Sequence, residues 1–260
     1  MKAKRAPPRL LKSLWFLLSL GCAVSNGAVA AESFAVMSLV GDRLTVVVSE
    51  KQVGSTLDLN RQQVITLNDR GLDDFAARVA DATIEKARPS ASVTMLRVND
   101  PALYALRNSW LDADAVDVKT LLSTVAKFVS PAADAHLLLI APYRAELELK
   151  TDRGYAFTGS KIAGLGFYSG AGSQAYADRE IGAAFLGVFA NIQLLLINLQ
   201  TNAVEAHERV VAGDTFPSSL APDRNPLNAL SPQKKYEVVQ ELMRREIEDT
   251  LPRMLGAAKS

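Results

Sequence analysis

Apolar residues in the first part of the chain gather into two short runs, Phe34-Ala35-Val36-Met37-Ser38-Leu39-Val40 and Leu44-Thr45-Val46-Val47-Val48. Between them stands the turn-forming cluster Gly41-Asp42-Arg43, so the pattern predicts an opening β-hairpin over residues 32–50. Val64-Ile65-Thr66-Leu67 reads as a short strand. Apolar positions then shift to helical spacing at Leu72, Phe75, Val79, Ala82 and Ala87, with Ala76 and Ala80 beside them. That predicts a helix over 71–87, capped by Asn68 or Asp69 and closed by Pro89. Residues 92–98 read as the next strand, and Asp100-Pro101 marks the cap and first residue of a short helix. A further helix over 117–128 would bury Val118, Leu121, Leu122, Val125 and Phe128.

His136-Leu137-Leu138-Leu139-Ile140-Ala141 is apolar without a break, as expected of a central strand covered on both faces. Ala145 to Lys150 alternates strictly and reads as an edge strand with one wet face. Residues 151–183 carry glycines at 154, 159, 164, 166, 170, 172 and 182 with Tyr155, Phe157, Phe167, Tyr168 and Tyr176 between them, and read as an irregular insert. The apolar run 185–199 follows, turned at Thr201-Asn202 into a second strand over 203–211, then a loop rich in Pro and Asp up to Leu230. Ser231 and Pro232 open a long last helix with the stripe Tyr236, Val239, Met243 and Ile247. With no repeat and no linker, the expectation is one α/β domain over 31–260. It has a mixed β-sheet with helices packed on it, an opening β-hairpin and a long C-terminal helix.

Composition changes this picture at the amino terminus. The first thirty residues hold Lys2, Lys4, Arg5, Arg9 and Lys12 and no acid, then an apolar run from Leu14 to Val24, then Ala28-Val29-Ala30. That order is the pattern of a signal peptide, residues 1–30, cleaved after Ala30. It places the mature chain in the periplasm or outside the cell. The alternatives are a retained anchor or a lipid on Cys22, although Ser19 stands where a lipoprotein signal has leucine. Removing those five residues from 29 Lys+Arg leaves the remainder net acidic against 28 Asp+Glu, which excludes a nucleic-acid partner read from charge. Cys22 is the one cysteine, so a chain cleaved after Ala30 has no disulfide, thiolate nucleophile or cysteine metal site.

Candidate chemistry is sparse. Gly41-Asp42-Arg43-Leu44 resembles the Gly-Asp-Ser-Leu opening of a hydrolase superfamily, and Asn99-Asp100 its later block, but Arg43 occupies the nucleophile position. A guanidinium cannot attack a carbonyl. His136 and His207 lack ligand partners at strand or helix spacing, and Asp112-Ala113-Asp114-Ala115-Val116-Asp117 lacks the glycine and closing Glu of a calcium loop. Gly164-Leu165-Gly166-Phe167-Tyr168-Ser169-Gly170 is not followed by a Gly-Lys-Ser/Thr triplet. No catalytic residue, metal site or cofactor is therefore assigned. The binding candidates are Phe167 and Tyr168, as aromatics of a loop meeting a partner, glycan or membrane surface, and Tyr143 with Arg144, at the end of the central strand.

The second half of the chain carries a resemblance. Asp134-Ala135-His136-Leu137-Leu138-Leu139-Ile140, an insert, and Ile197-Asn198-Leu199-Gln200-Thr201-Asn202-Ala203-Val204 follow one another in the order of a known α/β domain. It is similar to the domain of curli-secretion-channel-type lipoproteins, of the amino-terminal part of TolB and of penicillin-binding-protein activators, over roughly 93–211. Here Asn198 replaces that pattern's acid and Asn202 its glycine. The resemblance implies an envelope binding or assembly domain without an active site. The expected function is an exported, non-enzymatic module that binds a protein or envelope component, with membrane contact open. The alternatives are an envelope hydrolase with an unfamiliar site and a subunit of a membrane-associated or secretion assembly.

Overall fold

The longest apolar run forms β8 (Phe185–Asn198), buried on both faces, and the rest of the sheet is organised about it. The computed structural model describes residues 32–49, 60–113, 115–129, 135–151, 154–170 and 184–257; the predicted leader and residues 171–183, Tyr176 among them, lie outside these. Among the described residues nine strands and four α-helices make one α/β domain with a mixed sheet. β9 (Ala203–Pro217) returns antiparallel from the turn predicted at Thr201-Asn202, where Asn202 takes φ 58°, and pairs with β8 along its whole length.

The other edge of β8 is shared. β5 (His136–Pro142) pairs with its second half and the end of β7 (Gly154–Gly170) with its first half, so the two lie end to end along one line. Tyr143 N donates to Asn191 O at 2.8 Å and Gly164 N to Tyr143 O at 3.0 Å, which stitches the break. Between those residues the chain leaves the line as a hairpin of β6 (Arg144–Thr151) and the first half of β7. It returns through Gly164, whose φ of +71° suits a residue without Cβ. β1 (Ser33–Ser38) runs parallel to β5, and β2 (Arg43–Val48) parallel to the end of β7, making a second interrupted line. β4 (Ser92–Leu96) and β3 (Arg61–Thr66) flank it, parallel on β1 and antiparallel on β2.

Two expectations are corrected here. β1 and β2 are strands, but they do not form a hairpin with each other: their partners are β4 and β5 for one, β3 and β7 for the other. Both carry apolar residues on both faces, so each is buried between neighbours, and Gly41-Asp42 makes an offset in the line instead of a reversal. The irregular insert of 151–183 is also ordered over 154–170, as the seventeen-residue strand β7. Two of its glycines are contact points: a Cβ on Gly166 would lie 1.9 Å from Thr45 O on β2, and one on Gly170 2.4 Å from the Phe185 ring.

Alternation divides the sheet's side chains between layers. Phe34 and Val36, Leu138 and Ile140, and the even positions Leu186 to Leu196 face α1 (Gly71–Ala87) and α4 (Pro232–Ala257) in one core. Ala35, Met37, Leu137, Leu139, Leu195 and Ile197 face α2 (Pro101–Ala113) and α3 (Val118–Val125) in a second. Val47, Tyr168, Phe185 and Phe189 lie under the β6–β7 hairpin, closed by Leu147, Leu149 and Ile162, in a third. Two predicted caps hold: Ser231 Oγ accepts from Lys234 N at 3.2 Å, and Asp100 Oδ1 from Ala102 N at 2.9 Å. The cap expected at Asn68 or Asp69 is corrected: Arg70 is the N-cap of α1, without a side-chain cap bond, and Asp69 Oδ1 accepts from Gly71 N at 2.9 Å. Phe128, expected on the buried stripe, lies past the end of α3 and is exposed.

Candidate functional site

Polar side chains converge where β1 ends, at the carboxyl edge of the parallel strands β1 and β4. Asp73, on the buried face of α1, takes Ser38 Oγ at 2.8 Å and Gly41 N at 2.9 Å on one oxygen, and Tyr104 Oη at 2.8 Å on the other. Burial outweighs those three donors and holds its pKa above the usual carboxylate value of 3.8. Burial and then the neighbouring Asp73 push the Tyr104 phenol upward. Arg107, 1% exposed, donates to Leu39 O at 2.8 Å and to both oxygens of Asp42 at 2.6 and 3.0 Å. Burial alone would raise Asp42, but the hydrogen bonds from Arg107 and Arg43 prevail and hold it low. The offset between β1 and β2 is thus fixed from both sides, by α1 through Asp73 and by α2 through Arg107.

Above this network lies a cavity of about 250 Å3, walled by the first turns of α1 and by residues 95–99. Arg70, Arg78 and Arg97 line it, with Asp74 paired to Arg97 at 3.3 Å. Sequence reasoning missed this cluster. One signal was available: Arg107 occupies the same helical stripe as Leu103 and Trp110, and Asp73 neighbours Leu72, Ala76 and Ala80, so each charge sits at a buried phase.

The residues singled out from the sequence do not form one surface. Phe167 is 7% exposed and belongs to the core beneath α4, with Lys235 Nζ 5.5 Å from its ring centre. Tyr168, 5% exposed, points to the opposite face and packs under the hairpin, 6.0 Å from the Phe185 ring. Neighbouring residues in a strand face opposite sides, and β7 is covered on both here. Tyr143 and Arg144 stand at the hinge where the hairpin leaves the sheet. Arg209 lies 4.6 Å from the Tyr143 ring centre, and Arg144 Nε is buried without a hydrogen-bond partner among the described residues. The carbonyls that this hinge frees are taken by side chains: Asn191 Nδ2 donates to Ile162 O at 2.8 Å and Gln193 Nε2 to Pro142 O at 3.1 Å. His207 Nε2 lies 3.0 Å from Gln193 Oε1, and burial first, then Arg209, lowers its pKa. His136 is stacked on Phe34 and pairs with Glu205 at 3.0 Å, so the two histidines serve separate places.

The aromatics that do reach solvent are two others of the same segment. Tyr155 is 62% and Phe157 61% exposed. They stand across from Lys150 and Glu148 on the outer face of the hairpin, while Leu147, Leu149 and Ile162 anchor its inner face. Arg43, at the hydrolase-like nucleophile position, pairs with Asp42 at 3.2 Å.

No family model matches the chain, and no curated protein matches it. Solved structures do. The chain is similar to protein XCC0632 from Xanthomonas campestris, of the family DUF330, at 9% identity and a TM-score of 0.36, covering 88% of this chain and 86% of that one. It is similar as well to the hypothetical protein CT253 from Chlamydia trachomatis, at 4% identity and a TM-score of 0.32, covering 84% of this chain and 96% of that one. Of the resemblance read from the sequence, the α/β fold stands; membership of the families it named has no match.

Proposed function

We propose that the chain is an exported, non-enzymatic module of the bacterial envelope that binds a protein or envelope component through the outer face of the β6–β7 hairpin. The observation that carries this reading is the pair Tyr155 and Phe157, each more than half exposed on a hairpin fixed to the sheet by its other face. Large rings held on a rigid element lose little conformational freedom on docking, and their release from water favours contact by ~25 cal/mol per Å2. The basic, apolar and small-residue order of the first thirty residues supports export. The polar groups at the end of β1 bond chiefly to one another, which supports a structural role for them.

A photoreactive phenylalanine analogue at position 157, compared with one at 167, tests the reading in cells making the full chain. The expected result is an adduct with another envelope component from position 157, none from 167, and an intact mass that begins after Ala30. An unmodified chain starting at Met1 in the cytosol, or no adduct from position 157, contradicts it.

A further inference from the structure

The cavity above Ser38 and Asp73 has a charge balance that its own residues do not close. Both oxygens of Asp73 are occupied by Ser38, Gly41 and Tyr104, and Asp74 is paired with Arg97. Arg70 lies over the Tyr104 ring at 4.0 Å, and neither it nor Arg78 forms an ion pair among the described residues. Two guanidiniums therefore border the space without a carboxylate of their own, while Ala77, Met95 and Val98 give it an apolar side.

We propose that this cavity binds a small organic phosphate, its dianionic group held by Arg70 and Arg78 and its organic part lying against Ala77, Met95 and Val98. Three arginines against Asp73 and Asp74 leave the lining one positive charge in excess, and the three oxygens of a phosphate monoester can take both unpaired guanidinium forks, where one fork already fills the two oxygens of a monocarboxylate. Guanidinium forks suit its oxygens in geometry as well as charge. The volume of about 250 Å3 lies just under the ~300–1,000 Å3 of drug-sized pockets, so the ligand is small. The position at the carboxyl ends of parallel strands is where open α/β sheets collect ligands.

Phenyl phosphate, titrated into the full chain and followed by 31P NMR and calorimetry, is the probe. Saturable binding is expected, weakened about tenfold in Arg70→Gln and in Arg78→Gln, because each removes a charge-assisted contact. Asp74→Asn should tighten binding by removing a competing carboxylate and releasing Arg97, and Arg209→Gln should leave it unchanged. Arg78 is exposed, so Arg78→Gln keeps the test open should Arg70→Gln unfold. Binding that is absent, indifferent to both arginines, or equal for phenol overturns the proposal. Equal affinity for inorganic phosphate overturns the organic part. Co-sedimentation with phosphatidic acid vesicles without binding of phenyl phosphate in solution overturns the cavity and assigns the arginines to a lipid surface.

Discussion

Asp73 and Arg107 are the residues on which the join between β1 and β2 depends. Replacing Asp73 with Ala leaves three donors facing a void, and the expected loss is about 3 kcal/mol in chemical denaturation, with Asn losing less. Because the folded pKa of Asp73 is raised, wild-type stability increases relative to Asp73→Asn as pH falls through that value, and the difference levels off below the unfolded value of 3.8. A difference that shrinks on acidification contradicts this assignment. Asp42 has the opposite sign. Its folded pKa is held low, so its contribution is present above the ordinary carboxylate range and lost as pH falls through the folded value. Arg107→Met should cost about 3 kcal/mol at neutral pH and flatten the acid side of the stability profile. At this scale the sequence was partly legible. Caps at Asp100 and Ser231 follow from local chemistry and are found, whereas the partners of Asp73 lie 31 to 35 residues away and no local pattern names them.

At the scale of elements, helices and strands were readable because their apolar period is a local property; their pairing was not. Gly41-Asp42-Arg43 has the composition of a hairpin turn, yet the strands on either side run on in one direction, a fact held in their contacts with β5 and β7. The glycines of 154–170 read as irregular because glycine is poor in strands, but Gly166 is required where Thr45 O approaches. Gly166→Ala must push β2 from β7, and a loss of about 3 kcal/mol is expected in urea unfolding, since overpacked cores cost roughly that much. The hairpin's departure from the sheet makes a second demand. Asn191→Leu removes the donor to Ile162 O, so it should destabilise by about 2 kcal/mol although it adds apolar volume. A neutral or stabilised Asn191→Leu variant would contradict the role given to this hinge.

For the whole molecule, alternating helical and strand patterns with unbroken apolar runs made the α/β class and the single mixed sheet legible in advance. The contact face was not, since exposure depends on which side of β7 is covered: the same segment buries Phe167 and Tyr168 and presents Tyr155 and Phe157. These exposed rings contribute little to folding, so a Tyr155→Ser, Phe157→Ser double variant should keep the wild-type unfolding free energy within about 0.5 kcal/mol. Its association with the envelope, measured as the fraction of chain crosslinked in intact cells beside the wild type, is the most direct test of the account. The double variant is predicted to lose the wild-type adducts while remaining folded and exported. A folded, exported variant that crosslinks as the wild type does would contradict the account.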